Sequence, residues 1–193
     1  MLAIVSLLRP ALVLFFILSV LTGIAYPLAV TSLAQTLFSD AAHGSLLVRD
    51  GQALGSALIG QSFSDPEFFW GRPSATAGWS NNALASGGSN LGPLNPALLE
   101  AMKSRIRALR SADPAQTAAI PLDLVTASAS GLDPHISPAA ARYQLARVAR
   151  LRGLETKTVL KLIEQHTSRR TLGLLGEPRV NVLLLNLALE EAK

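Results

Sequence analysis

Residues 10–30, PALVLFFILSVLTGIAYPLAV, carry no charged side chain, and the chain stays uncharged as far as Ser39. Arg9 precedes this run and Asp40 follows it. A helix needs about 20 apolar residues to cross a hydrocarbon core, so the stretch is long enough to span a bilayer. No other segment comes close. A secretory signal also begins with a basic residue and an apolar run, and Ser32-Leu33-Ala34 offers small residues for cleavage. Signal h-regions run to about 7–15 residues, shorter than this one, which favours an anchor that stays attached. A buried core helix is the third reading, and hydrophobicity on every face argues against it in a chain of 193 residues.

Flanking charge sets the expected orientation. Arg9 stands on the N-terminal side, and no Lys or Arg follows the run until Arg49. The positive-inside rule then places residues 1–9 in the cytoplasm, 10–36 in the membrane and 37–193 outside. In a bacterium this is a single-pass inner-membrane protein with a periplasmic domain. Within the anchor, Ser19 and Gly23 are four apart, as are Ala25 and Ala29. Small residues at that spacing let a second helix approach closely, although a lipid-facing helix can carry them by chance. Pro27 is expected to kink the helix or end its regular part.

The remaining residues, about 150, suffice for one domain with a real core. No cysteine is present, so disulfides, thiolate metal sites and thiol nucleophiles are excluded. A net charge of +4, spread over helices among alanine and leucine, lacks the dense basic and aromatic patch that nucleic acid requires.

Ser45–Arg49 and Ala53–Ile59 are expected to pair as a hairpin about Asp50-Gly51. In the aromatic run Phe68-Phe69-Trp70 at least one ring is expected to face a different surface from the others. Core packing is the default for most, and all three are candidates for a partner surface together with Trp79, Asn81 and Asn90. Pro73–Pro93 is rich in Trp79, Asn81, Asn82, serine, glycine and Asn90, which predicts an ordered binding loop. Asn95 and Pro96 open a helix with Leu99, Met102, Ile106 and Leu109 along one stripe. Ile120–Thr126 reads as extended and buried. Ser137 and Pro138 open a further helix, with Tyr143, Val148 and Leu151 inward and Gly153 as its stop. Another follows over Thr156–His166, with Val159, Leu160 and Ile163 on one face. Arg179–Leu185 alternates like a strand, after which Asn186 caps a short last helix. Strands and helices without βαβ alternation define an α+β domain.

Catalytic signals are weak. Gly55 to Ser62 matches a phosphate loop except that Gln61 replaces the lysine, and with it the charge that the mechanism needs. His43, His135 and His166 allow a membrane-anchored hydrolase by inventory, but no G-x-S-x-G elbow occurs. A free-standing binding domain is the other alternative that composition leaves open.

Six blocks carry a family resemblance: RPAL at 9–12, GSALIGQSF at 55–63, GRPSAT at 71–76, ASGGSNLGPLNP at 85–96, LVTASASGLDPHISPAAA at 124–141 and GEPRVNVLLLNLAL at 176–189. In this order, over nearly the whole chain, they resemble the C subunit of the bacterial Kdp potassium-transporting ATPase. The resemblance implies a non-catalytic accessory subunit of an ATP-driven potassium uptake complex. Its implied partners are a potassium-channel-like subunit, a P-type ATPase subunit and a small single-span subunit. It also implies a catalytic chaperone that raises the ATP affinity of the ATPase subunit, and a nucleotide contact at Gln144. No bound cofactor follows beyond ATP through the ATPase subunit. A domain outside the membrane does not meet cytoplasmic ATP, so on the orientation above the effect on ATP passes through the membrane helices as a coupling between sites.

Overall fold

The absence of an N–H on Pro27 shapes the first element. In the computed structural model, which describes residues 2–192, helix α1 (Leu2–Val20) passes into a π-helical turn at Leu21–Ala25 and then into α2 (Tyr26–Leu37). Pro27 cannot donate to the carbonyl four residues back, and the turn just before it widens so that the Tyr26 N–H reaches Leu21 C=O. The helix thus continues through Pro27, and its regular α geometry is interrupted by the π turn just before that residue. Pro10 likewise lies inside α1 and does not begin it.

Residues Leu7–Leu37 form the one helix long and apolar enough to cross a membrane among the described residues. At about 1.5 Å per residue its 31 residues exceed a core of about 30 Å, leaving room for tilt or a protruding end. Three of its hydroxyls are turned onto its own backbone, among them Thr22 Oγ1, which donates to Leu18 C=O at 2.7 Å, and Ser32 Oγ, which donates to Leu28 C=O at 2.8 Å. Neither of these two donors is left unsatisfied toward lipid. A short helix α3 (Ser39–Ala42) follows.

The chain divides into two compact units, one up to Leu46 and the other from Leu47 on. Strands β1 (Leu46–Arg49) and β2 (Gln52–Ser56) form a two-stranded sheet. Asp50 and Gly51 both take positive φ, 52° and 76°, which matches the right-handed twist of paired strands.

Helix α4 (Pro96–Ala112) begins where Asn95 Oδ1 accepts from Ala97 N–H at 2.9 Å. Helix α5 (Pro138–Arg152) begins where Ser137 Oγ accepts from Ala140 N–H at 3.0 Å, and it ends at left-handed Gly153. Helix α6 (Thr156–Gln165) packs on α5. A three-stranded antiparallel sheet places β5 (Arg179–Asn181) between β3 (His135–Ile136) and β4 (Thr167–Ser168). His135 pairs with Asn181, Ile136 with Val180, and Thr167 also with Val180. The last helix, α7 (Val182–Glu191), leads directly from β5. The core joins Phe69, Ile136, Val148, Val159, Ile163, Val180, Leu185 and Leu189, and burying each such side chain contributes about 1.5–3 kcal/mol.

Three details depart from the sequence reading. The strand at 179 is three residues long, because Asn181 Oδ1 caps α7 through Leu184 N–H at 3.1 Å; Asn186 lies inside that helix. An apolar run this short suits a buried helix as well as a strand. Residues 120–126 contain a 3₁₀ turn at Leu122–Leu124 after Pro121, so only Leu124 and Val125 of this piece are buried. Leu151, expected inward, is 43% exposed, and Leu99 at the start of the α4 stripe is also exposed.

Candidate functional site

Two carboxamides in the core hold the aromatic segment before Gly71. Asn186 Oδ1 accepts from Phe69 N–H at 2.9 Å, and its Nδ2 donates to Phe69 C=O at 3.0 Å. One residue on, Gln144 Oε1 accepts from Trp70 N–H at 2.8 Å, and its Nε2 donates to Trp70 C=O at 3.0 Å. Each side chain thus copies the pairing of a neighbouring strand. Gln144 uses its remaining capacity on Arg147 Nη2, at 2.7 Å, and on Ala140 C=O, at 3.3 Å. With two donors and two acceptor positions engaged, the carboxamide is satisfied while almost wholly buried. A nucleotide contact by Gln144 would have to break at least one of these bonds.

Arg147 completes the arrangement. Its Nη1 donates to Pro66 C=O, and its guanidinium lies 4.9 Å from the centre of the Trp70 ring. Burial draws its pKa down to about 10, so it remains charged at neutral pH. Arg152 covers Phe68 at 4.4 Å in the same way. Phe69, expected among partner-facing aromatics, is 0% exposed and belongs to the core; Phe68 and Trp70 are half-buried beneath these arginines.

The 73–93 loop is ordered by hydroxyls and amides. Ser74 Oγ donates to Gly131 C=O at 2.8 Å, and Asn81 Nδ2 donates to the same carbonyl at 3.2 Å. Asn81 N–H donates to Ser74 Oγ at 2.9 Å, and Asn82 N–H to Thr76 Oγ1 at 3.2 Å. Further along, Gly87 N–H donates to Ser130 C=O at 2.9 Å. Asn81 and Asn90 adopt left-handed φ of 59° and 51°, a region asparagine tolerates better than most residues. The loop raises Trp79 (62% exposed), Leu84 (91%) and, just beyond it, Leu94 (96%) into solvent. Asn81 faces inward onto the 131 turn.

The phosphate-loop-like stretch is used for packing. Gln61 Nε2 donates to Leu54 C=O at 2.7 Å, lying over Gly55 where any Cβ would collide with it. At Gly60 a Cβ would stand 2.7 Å from Asp133 C=O. Arg72 Nη1 binds Asp133 Oδ2 at 3.0 Å, and His135 N–H donates to Asp133 Oδ1 at 2.9 Å. Burial raises the Asp133 pKa, but hydrogen bonds from His135 and Arg72 outweigh it and hold the carboxyl at about 2. The ring nitrogens of His43 and His166 lie 2.7 and 2.9 Å from carbonyls of their own turns, at Ser39 and Leu162. No group of three or more His, Asp or Glu side chains suited to a metal occurs among the described residues.

The small-residue anchor positions Ser19, Gly23, Ala25 and Ala29 are all exposed. Gly23 and Ala25 fall in the π turn. Sequence reasoning missed Asn186 and Arg147. The signal was a lone amide inside the apolar run NVLLLNLAL, since a buried polar group needs a specific partner.

A helix able to cross a membrane, carrying a mixed α+β domain, defines a membrane-anchored domain protein. Residues 8–191 match the family model for the c chain of K+-transporting ATPases, KdpC. The potassium-transporting ATPase KdpC subunit of Polaromonas naphthalenivorans is 68% identical over 97% of this chain and 96% of its own length. That of Variovorax paradoxus is 66% identical over 96% of each. The chain belongs to the KdpC family and is a subunit of a K+-transporting ATPase.

Proposed function

We propose that this subunit works without catalysis of its own, as an assembly and coupling partner of the ATP-hydrolysing machinery. The observation that carries the reading is the match over residues 8–191, which takes in the anchor and the outer domain together. A family model that spans both parts fits a role that needs both.

On this reading the protein spans the bacterial inner membrane once, N-terminus inside and domain in the periplasm. The anchor offers Ser19, Gly23, Ala25 and Ala29 to a neighbouring helix. The domain meets the potassium-channel-like subunit through the exposed Trp79–Leu94 region, with Asn90 at its rim and Asn81 fixing the loop from within. The P-type ATPase subunit and the small single-span subunit complete the complex. The chain favours the ATPase conformation that binds ATP well, so its effect on ATP affinity is a population shift passed through the membrane. Gln144 holds the Phe69–Trp70 segment within the domain, a structural role that its buried hydrogen bonds favour over direct nucleotide contact.

The test is ATPase assay of complexes assembled with and without this subunit. The KM for ATP is expected to rise several-fold without it, by a population shift of the usual 5–150-fold coupling range. An unchanged KM in a complex that still assembles would refute the chaperone role.

A further inference from the structure

Outside the carboxamide clamp lies a cleft of about 310 Å³ between α4 and the 61–74 segment. Its polar lining includes Arg72, Arg105, Ser62, Ser74 and Ser80, with Trp70 on one wall, and no Asp or Glu lines it among the described residues. The two arginines differ in how they are compensated. Arg72 pairs with Asp133, yet its Nε–H is buried without an acceptor. Arg105 has no carboxylate within ion-pair distance among the described residues. Its Nη1 donates at 2.8 Å to Val125 C=O, and burial lowers its pKa. A half-buried guanidinium facing a concave, acid-free wall carries positive charge that a neutral carbonyl does not balance. Forked donors beside hydroxyls suit a small tetrahedral oxyanion.

We propose that this cleft binds a free oxyanion of the phosphate or sulfate class, with Arg105 as the principal ligand and Arg72 at its edge. The cleft borders the Trp79–Leu94 stretch at Ser80, but its two arginines lie outside that stretch, so anion binding by the chain alone is read separately from the assembly role.

The test is equilibrium dialysis of the full-length protein in detergent against radiolabelled inorganic phosphate at constant ionic strength. One phosphate per chain is expected, displaced by sulfate. Arg105→Gln is expected to weaken binding at least about tenfold, as loss of a charge-assisted pair does. Arg105→Lys keeps the charge without the fork and is expected to fall between the two; it serves as the comparison should circular dichroism show the Gln variant misfolded. Absence of saturable binding up to about 10 mM, too weak for a specific site, would overturn the proposal. So would equal affinity in the wild type and both variants.

Discussion

Gln144 and Trp70 meet through a two-point pairing in which one side-chain amide receives the Trp70 N–H at 2.8 Å and returns a hydrogen bond to its carbonyl at 3.0 Å. Asn186 does the same for Phe69. The aromatic segment belongs to no sheet, yet its peptides at 69 and 70 are satisfied as a central strand's would be. Helices α5 and α7 are thereby tied to one stretch of irregular chain.

Loss of either amide leaves buried backbone groups without partners, each costing about 1–3 kcal/mol. Gln144→Ala and Asn186→Ala are each expected to lower stability by about 2–4 kcal/mol in denaturant titration of the detergent-solubilised chain. Because they grip adjacent peptides, the double variant should fall short of the sum. Simple additivity would show that the two amides act separately. For ATP, the Gln144→Ala complex is expected to retain its KM once assembled; a large rise at full assembly would favour direct nucleotide contact.

Asp133 sets the behaviour in acid. Its folded pKa of about 2 lies below the ordinary 3.8, so the stability it contributes is present above pH 4 and lost as pH falls toward 2. The Asp133 side chain is 28% exposed, and after allowance for solvent screening the effect is about 1 kcal/mol. Asp133→Asn is expected to flatten the stability profile between about pH 4 and 2 while lowering stability at neutral pH. A wild-type profile equally flat in that window would contradict the assignment.

Gly23 provides a test of the anchor. An added Cβ there meets nothing within 4 Å in this chain, so a larger residue leaves the helix itself unstrained by contact. Gly23→Leu is expected to insert normally in the membrane and to reduce recovery of partner subunits several-fold, as a blocked close approach would. Undiminished recovery would make the helix a plain lipid-facing anchor.

Leu84 offers the cleanest probe of the outer surface, because it is almost wholly exposed and packs against no core residue. Leu84→Asp is expected to leave the melting temperature within about 2 °C of the wild type and to weaken assembly about tenfold or more. Unchanged assembly would move the contact surface elsewhere on the domain.

Local chemistry was legible in the sequence. Asp50-Gly51, Asn95-Pro96, Ser137-Pro138 and Gly153 each act through neighbours a few residues away, and each performs the turn or cap its residue type predicts. The clamp was not legible, because Gln144 and Asn186 find peptides 74 and 117 residues distant. Which ring of the aromatic trio enters the core was not legible for the same reason, because it depends on where α7 lies. Asn186 was mistaken for a cap because an amide before apolar residues has the same local signature whether it opens a helix or sits within one. The six blocks that carried the family resemblance include the pieces brought together here, with 71–76 and 85–96 closing on 128–133.

The most direct test is affinity capture of the full-length chain from gently solubilised bacterial membranes. The account predicts co-elution with the channel-like and ATP-hydrolysing subunits of the potassium transporter at fixed ratio. Elution of the chain alone, from membranes in which those subunits are present and intact, would contradict it.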